Sequence, residues 1–267
     1  IEIMAKSKDK ATPDAAASRP DLPLFYRDVV ALSREGHKGW YIAADQGYSF
    51  AAQSNSVYVA ASEFSAAARE YALVFARGAD GAVVPAALLG LRPDENMFVT
   101  SENGWDASYI PAYVRRYPFI LATATPDGDQ FTVCIDESFS GFNTAQEGEQ
   151  LITKDGEHGE LLGNSVKFLQ EFHKHTVITK AFCEALDEAG LLDSMQAQIA
   201  LNSGQKMSLS GFLCVTREKL KTLDAEQLKG LFDKGFLDLI YFHMHSLNNM
   251  DKLMERLSAV TPEAQNA

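Results

Sequence analysis

The chain contains no apolar run of the roughly 20 residues a membrane-spanning helix requires, so no membrane span is expected. It has no Gly-x-Ser-x-Gly elbow, no phosphate loop closing on Gly-Lys-Ser/Thr, no Gly-x-Gly-x-x-Gly fingerprint and no Cys-x-x-Cys pair. No hydrolase, nucleotide or redox chemistry is therefore announced by a local motif. Cysteine is scarce: Cys134, Cys183 and Cys214 lie far apart among apolar neighbours. An odd, scattered set points to buried free thiols in a reducing compartment rather than to a disulfide framework. Basic residues are outnumbered, 24 Lys and Arg against 36 Asp and Glu, for a net charge of -12. That balance argues against gripping a phosphate backbone, so no nucleic-acid partner is expected. The first residues lack the apolar segment of a secretory leader. With the cysteines, this gives an expected cytoplasmic location.

The 267 residues are 46% hydrophobic and 22% charged, the composition of a globular chain. Residues 1–20, rich in Lys, Asp, Ala, Ser and Pro, read as a disordered tail, and 258–267 as a loose one. Between them a single compact α+β domain is expected over 21–257, β-rich over 21–137 and helical with one hairpin over 161–257. Three hairpins are predicted, because an Asp-Gly or Ser-Gly pair between apolar runs supplies the positive φ of a tight turn. They join Tyr71–Phe75 to Val83–Leu91 through Asp80-Gly81, Tyr117–Leu121 to Gln130–Asp136 through Asp127-Gly128, and Gln198–Leu201 to Met207–Val215 through Ser203-Gly204. Their near-continuous apolar arms suggest strands covered on both faces. Ser62 is a candidate cap for a short helix to Glu70, and Asn164 for a helix whose stripe runs Val166, Leu169, Phe172, Ile178, Phe182 and Leu186, stopping at Gly190. Asp224 with Gln227 forms a capping box. Phe236, Ile240, His243, Leu247, Met250, Met254 and Leu257 predict one amphipathic helix. Hairpins followed by helices give the expected class: an antiparallel, hairpin-rich sheet with a mainly helical C-terminal portion.

The densest chemistry lies between Asn103 and Phe119, where Trp105, Tyr109, Tyr113 and Tyr117 accompany Arg115 and Arg116. Pro111 suits the first position of a short helix to Arg116, and Pro118 ends it. Guanidinium groups beside aromatic rings stack and fork onto carboxylates, which makes these six residues the candidate binding site. The alternative is that the rings fill a core and the arginines are solvated. The acidic stretch from Thr123 to Glu160 reads as a solvated loop or a docking surface for a basic partner; it lacks calcium-loop spacing. His173 with His175, and His243 with His245, fall in predicted helices, where residues two apart face away from each other. No metal site and no cofactor is expected, and His243 reads as a hydrogen-bonded core histidine.

Pro23-Leu-Phe-Tyr-Arg27, Tyr48-Ser-Phe-Ala-Ala-Gln-Ser-Asn55, Val83–Leu91, Asn96-Met-Phe-Val99, the Tyr109–Phe119 run, Cys134-Ile-Asp136, Leu209-Ser-Gly-Phe212 and Ser246-Leu247 together carry a family likeness. On these residues the chain resembles the bacterial SapC-like proteins over nearly all of 22–257. The Tyr-Ile-Pro-Ala-Tyr-Val-Arg-Arg-Tyr-Pro-Phe run is the specific part. The resemblance implies a link to the bacterial surface layer, and to systems with outer-membrane receptors, tryptophan-halogenase-like and cupin-like proteins. It supplies no catalytic residues. The reading preferred from sequence is a non-catalytic accessory protein that binds a protein or peptide partner, with self-association left open. The alternative is an enzyme, or an enzyme's accessory subunit, acting on peptides.

Overall fold

A computed structural model describes residues 22–43, 46–123, 131–200 and 206–260. Residues 1–20 and 261–267 of the expected tails, and the Asp127-Gly128 and Ser203-Gly204 turns, lie outside the described residues. The architecture is α+β, with antiparallel sheets and a helical C-terminal portion. The chain divides into two compact units, one of residues 1–47 and 115–173, the other of 48–114 and 174–267.

The first unit holds two three-stranded sheets. In one, Phe131–Asp136 lies between Val29–Ala31 and Phe119–Thr123, with Val30 opposite Ile135 and Ile120 opposite Cys134. In the other, Tyr41–Ile42 lies between Phe142–Asn143 and Glu149–Gln150. Ile42, Phe119, Ile135, Leu151, Ile152, Leu162 and Leu169 form its core. The last two come from the helix Glu160–Glu188. That helix starts four residues before Asn164, the residue expected to cap it. Gly159 explains the earlier start: a Cβ there would meet the Gln150 carbonyl oxygen at 1.9 Å. Only glycine lets the chain turn into a helix so close to the strand that precedes it.

The second unit is built on one five-stranded sheet in the order Leu192–Ala200, Lys206–Val215, Leu73–Arg77, Val83–Leu88, Ser56–Tyr58. All six residues of Val83–Leu88 are buried, as their unbroken apolar character predicts. The third hairpin starts at Leu192, six residues earlier than its apolar run indicates. It absorbs a bulge at Met195/Gln196, opposite Gly211 at φ +90°. Ser62 is not the cap: a 3-10 turn over Ala61–Glu63 leads into the expected short helix, Phe64–Ala67, and the Glu63 carboxylate accepts the Ala60 N–H at 2.8 Å. Within the part expected to be β-rich, Ser49–Ala51 forms a 3-10 turn.

Along the long helix the buried positions are Leu162, Leu169, Phe172, Thr179, Phe182, Cys183 and Leu186, while Ile178 is 52% exposed. The apolar assignment of Ile178 is therefore corrected. Phe172, Thr179 and Leu186 are spaced seven residues apart, as are Leu162 and Leu169, and Thr179 occupies its seam position by hydrogen bonding. Its hydroxyl donates to the His175 carbonyl at 2.6 Å and accepts the Ala61 N–H at 2.8 Å. Gly190, at φ +63°, follows the helix end.

The predicted capping box is present: Asp224 accepts the Gln227 N–H, and the Gln227 side chain accepts the Asp224 N–H. The amphipathic helix expected from Phe236 onward is two helices, Phe236–Ser246 and Asn249–Val260. The break has a polar cause. The Ser246 hydroxyl accepts the Leu73 N–H and donates to the His243 carbonyl, and the Asn249 amide donates to the carbonyls of Ala68 and Tyr71. Ser246, Asn249 and Leu253 are buried in place of Leu247, Met250 and Met254, while Leu257 is buried as expected.

His243 is a core histidine. Its Nδ1–H donates to the Leu73 carbonyl at 2.9 Å, and its Nε2 accepts the Val215 N–H at 3.0 Å. Burial lowers its pKa to about 4, against a partial upward pull from Leu73. A depressed folded pKa means stability that is complete above about 6.5 and is lost as pH falls toward 4. Urea midpoints are expected to fall across that window. In His243→Gln the loss over the same window should be markedly smaller.

Candidate functional site

The segment from Trp105 to Tyr117 passes from one unit to the other between Val114 and Arg115. It contains the predicted short helix, Ala112–Arg115, and leads into the Phe119–Thr123 strand. The Tyr117–Pro118 bond is cis.

In the second unit the aromatic side chains of this segment are tied inward. The half-buried Trp105 donates its Nε1–H to the Tyr71 hydroxyl at 2.8 Å and packs against Tyr48 and Phe98. Tyr71 is fully buried and donates to the Tyr109 carbonyl; burial raises its pKa above the ordinary tyrosine range. Tyr109 donates its hydroxyl to Glu63 Oε1 at 2.7 Å, and the Ala112 N–H donates to the same oxygen at 2.7 Å. Glu63 is itself buried. Tyr113 is 6% exposed, with its ring beside Tyr58. Tyr109 is thus tied to a buried carboxylate, Trp105 to the buried Tyr71, and Tyr113 is packed inside beside Tyr58.

A matching knot lies in the first unit. Tyr117 donates to Asp136 Oδ2 at 3.2 Å, and Asp136 also accepts the N–H groups of Arg27, Asp28 and Ser138 and the Ser138 hydroxyl. Burial alone would raise the Asp136 pKa; the Ser138 hydroxyl and these three N–H groups outweigh it and hold the carboxyl below its usual range. Burial, and then the Asp136 charge, push the Tyr117 phenol up to about 12.

The two arginines differ. Arg116 is half-buried, its guanidinium 5.6 Å from the Tyr26 ring centroid and 5.4 Å from that of Phe172. Arg115 is exposed, with its guanidinium 4.9 Å from the Phe168 ring centroid. Phe168 and Phe172, one turn apart on the long helix, stack at 6.5 Å and continue the arrangement. Arg115 and Phe168 line an open cleft of about 360 Å³ with Glu149, Glu160, Leu161, Asn164 and Ser165. Glu149 is held there because its carboxylate accepts the Leu161 N–H at 3.2 Å in the first turn of the helix.

Sequence reasoning named Arg115 but not Phe168, whose partner is more than fifty positions away and leaves no local trace. Glu149 and Glu160 belong to the acidic stretch noted above. The contrast between the arginines gives a prediction. Arg116→Ala should cost about 1–2 kcal/mol, from lost packing and cation–π contact. Arg115→Ala should cost under about 0.5 kcal/mol, as expected for an exposed residue. Thermal melting of the two variants checks both.

Other chemistry is muted. Cys183 and Cys214 are buried, and burial raises their thiols to about 12; burial also raises Cys134. Burial thus disfavours the thiolate form of all three. Both His-x-His pairs lie in helices, and among the described residues no three His, Cys, Asp or Glu side chains are grouped to hold a metal ion.

Fold and site define an α+β protein in which an exposed arginine lies over a ring in a cleft that also carries acidic groups. The chain belongs to the SapC family, whose sequence profile matches residues 32–253. No curated protein and no solved structure matches it significantly.

Proposed function

We propose that this chain is a non-catalytic module that captures a polypeptide partner at the Arg115 cleft, with Trp105, Tyr109 and Tyr113 anchoring the chain before Arg115, and Arg116 and Tyr117 anchoring it after. One observation carries the reading: Arg115 is exposed, is braced by Phe168 and opens onto a cleft bearing two glutamates. A guanidinium held over a ring is a group suited to recognising carboxylates. Buried, protonated thiols and a buried neutral His243 support a binding role over a nucleophilic one. The resemblance of the chain suggests that the partner belongs to a surface-layer or outer-membrane receptor system. The three buried free thiols favour a cytoplasmic site of action, which cell fractionation tests; recovery only with the envelope would contradict it.

The test of function is quantitative capture from the native bacterium by wild-type protein and Arg115→Ala. Loss of particular partners by Arg115→Ala, at an unchanged melting temperature, supports the proposal. An unchanged partner set refutes it.

A further inference from the structure

Leu192–Ala200 is the outermost strand of the five-stranded sheet, and among the described residues no strand pairs with its outer edge. It is nine residues long, against three for Ser56–Tyr58 at the opposite edge. Its hairpin partner, Lys206–Val215, stays in register with it out to Ala200 opposite Lys206. That inner strand meets Leu73–Arg77 through one pair, Leu213 opposite Phe75. The outer half of the hairpin therefore runs on past the sheet as a two-stranded ribbon. Such a ribbon is marginal in water and gains stability from a third strand.

Edge strands are guarded against pairing with another chain by Lys, Pro, a bulge or an inward-pointing charge. Leu192–Ala200 contains no Lys, Arg or Pro. The irregularity at Met195/Gln196 skips Gly211, so the extra residue belongs to the inner strand and the outer strand continues without one. Its one charge, Asp193, lies near the start of the strand and is paired with Lys219 at 3.3 Å. Beyond it, Ser194, Met195 and Gln196 are exposed.

Two features of the sequence point to the occupant. Residues 194–205 carry no charge, in a chain with 24 basic and 36 acidic residues. Two copies of net charge -12 repel each other, and a neutral edge lets them meet without setting like charges together. The strand is also self-complementary: Ser194-Met-Gln-Ala-Gln198 reads polar, apolar, polar, apolar, polar in both directions. In an antiparallel pair with its two-fold axis at Gln196, Ser194 would lie opposite Gln198 of the second copy, Met195 opposite Ala197, and Leu192 opposite Ala200. Polar then meets polar and apolar meets apolar, except at Asp193 opposite Ile199. A slip of one residue would set polar against apolar along the strand.

We infer that a second copy of this chain covers this edge: two Leu192–Ala200 strands pair antiparallel about Gln196 and join the sheets of two molecules into one. The inference is independent of the Arg115 cleft.

The test is sedimentation of the full-length protein over a series of concentrations, as wild type, Gln196→Lys and Gln196→Glu. Wild type should pass from monomer to dimer. Each variant sets like charges against each other on the axis, which should weaken its dimer about fivefold. An equal mixture of the two variants should form a mixed dimer at least as tightly as wild type forms its own, and that recovery shows that both variants fold. Hydrogen exchange at alternate amides of Leu192–Ala200 should slow as the wild-type dimer forms.

A wild type that remains monomeric throughout overturns the inference. So does a dimer indifferent to both substitutions, or a mixture that associates no better than the separate variants. Protection of the edge that appears only in extract of the native bacterium, with wild type alone monomeric, would assign the edge to a strand of another protein and overturn self-pairing.

Discussion

Replacing Asp136 with Asn is expected to lower the stability of the chain by about 3 kcal/mol, at nearly constant side-chain volume. Asp136 is fully buried and accepts five hydrogen bonds. Oδ1 receives the N–H groups of Asp28 and Ser138 and the Ser138 hydroxyl; Oδ2 receives the Arg27 N–H and the Tyr117 hydroxyl. An amide can replace one of these oxygens but not both, so an NH2 group must face donors. In calorimetry the midpoint should fall by roughly 6–10 °C, given a few degrees per kcal/mol for a chain of this size. The pH profile distinguishes lost charge from lost shape. The folded pKa of Asp136 lies below its ordinary 3.8, so its contribution is complete above that value and disappears as pH falls through the folded pKa. Wild type and Asp136→Asn should therefore differ most near neutrality and converge in strong acid. A constant difference down to acid pH would show that the carboxylate's charge is not what holds this knot.

Replacing Glu63 with Ala should cost a similar amount, about 3 kcal/mol. The buried Ala60 and Ala112 N–H groups lose their acceptor, at about 1–3 kcal/mol each where no water replaces it. The Tyr109 hydroxyl loses the same carboxylate. The loss should be local as well as global. Hydrogen exchange of the Ala60 and Ala112 amides should accelerate more than that of Phe75 or Val84 in the central strands. Uniform acceleration would mean that Glu63 stabilises the unit without specifically tethering the Trp105–Val114 segment.

These two carboxylates explain why the candidate site was only partly legible in the sequence. The local grammar was readable: the Pro111 helix start, the strand after Pro118, the arms of the hairpins and the Asp224–Gln227 cap all follow from neighbouring residues. The direction in which each side chain faces was not, because it is set by partners far along the chain. Tyr109 meets Glu63 from 46 residues away, and Tyr117 meets Asp136 from 19. Arg115 and Arg116 are indistinguishable as neighbours in sequence, yet one opens on a cleft and the other is enclosed by Tyr26 and Phe172. The helical seam shows the same limit: Ile178 is apolar and exposed, while Thr179 is polar and buried because a backbone N–H needed an acceptor. Hydrophobic periodicity likewise gave no warning of the break between Ser246 and Asn249, which is set by backbone groups of Ala68, Tyr71 and Leu73.

The binding account is tested most directly by a photo-reactive residue placed in the cleft. The exposed Asn164 is replaced, Asn164→benzoylphenylalanine, with Lys180→benzoylphenylalanine as a control on the exposed face of the same helix. After irradiation in the native bacterium, the cleft position should form a covalent adduct with a discrete polypeptide, and that adduct should vanish when Arg115→Ala is added. Equal labelling from Lys180, or an adduct indifferent to Arg115, would contradict the account.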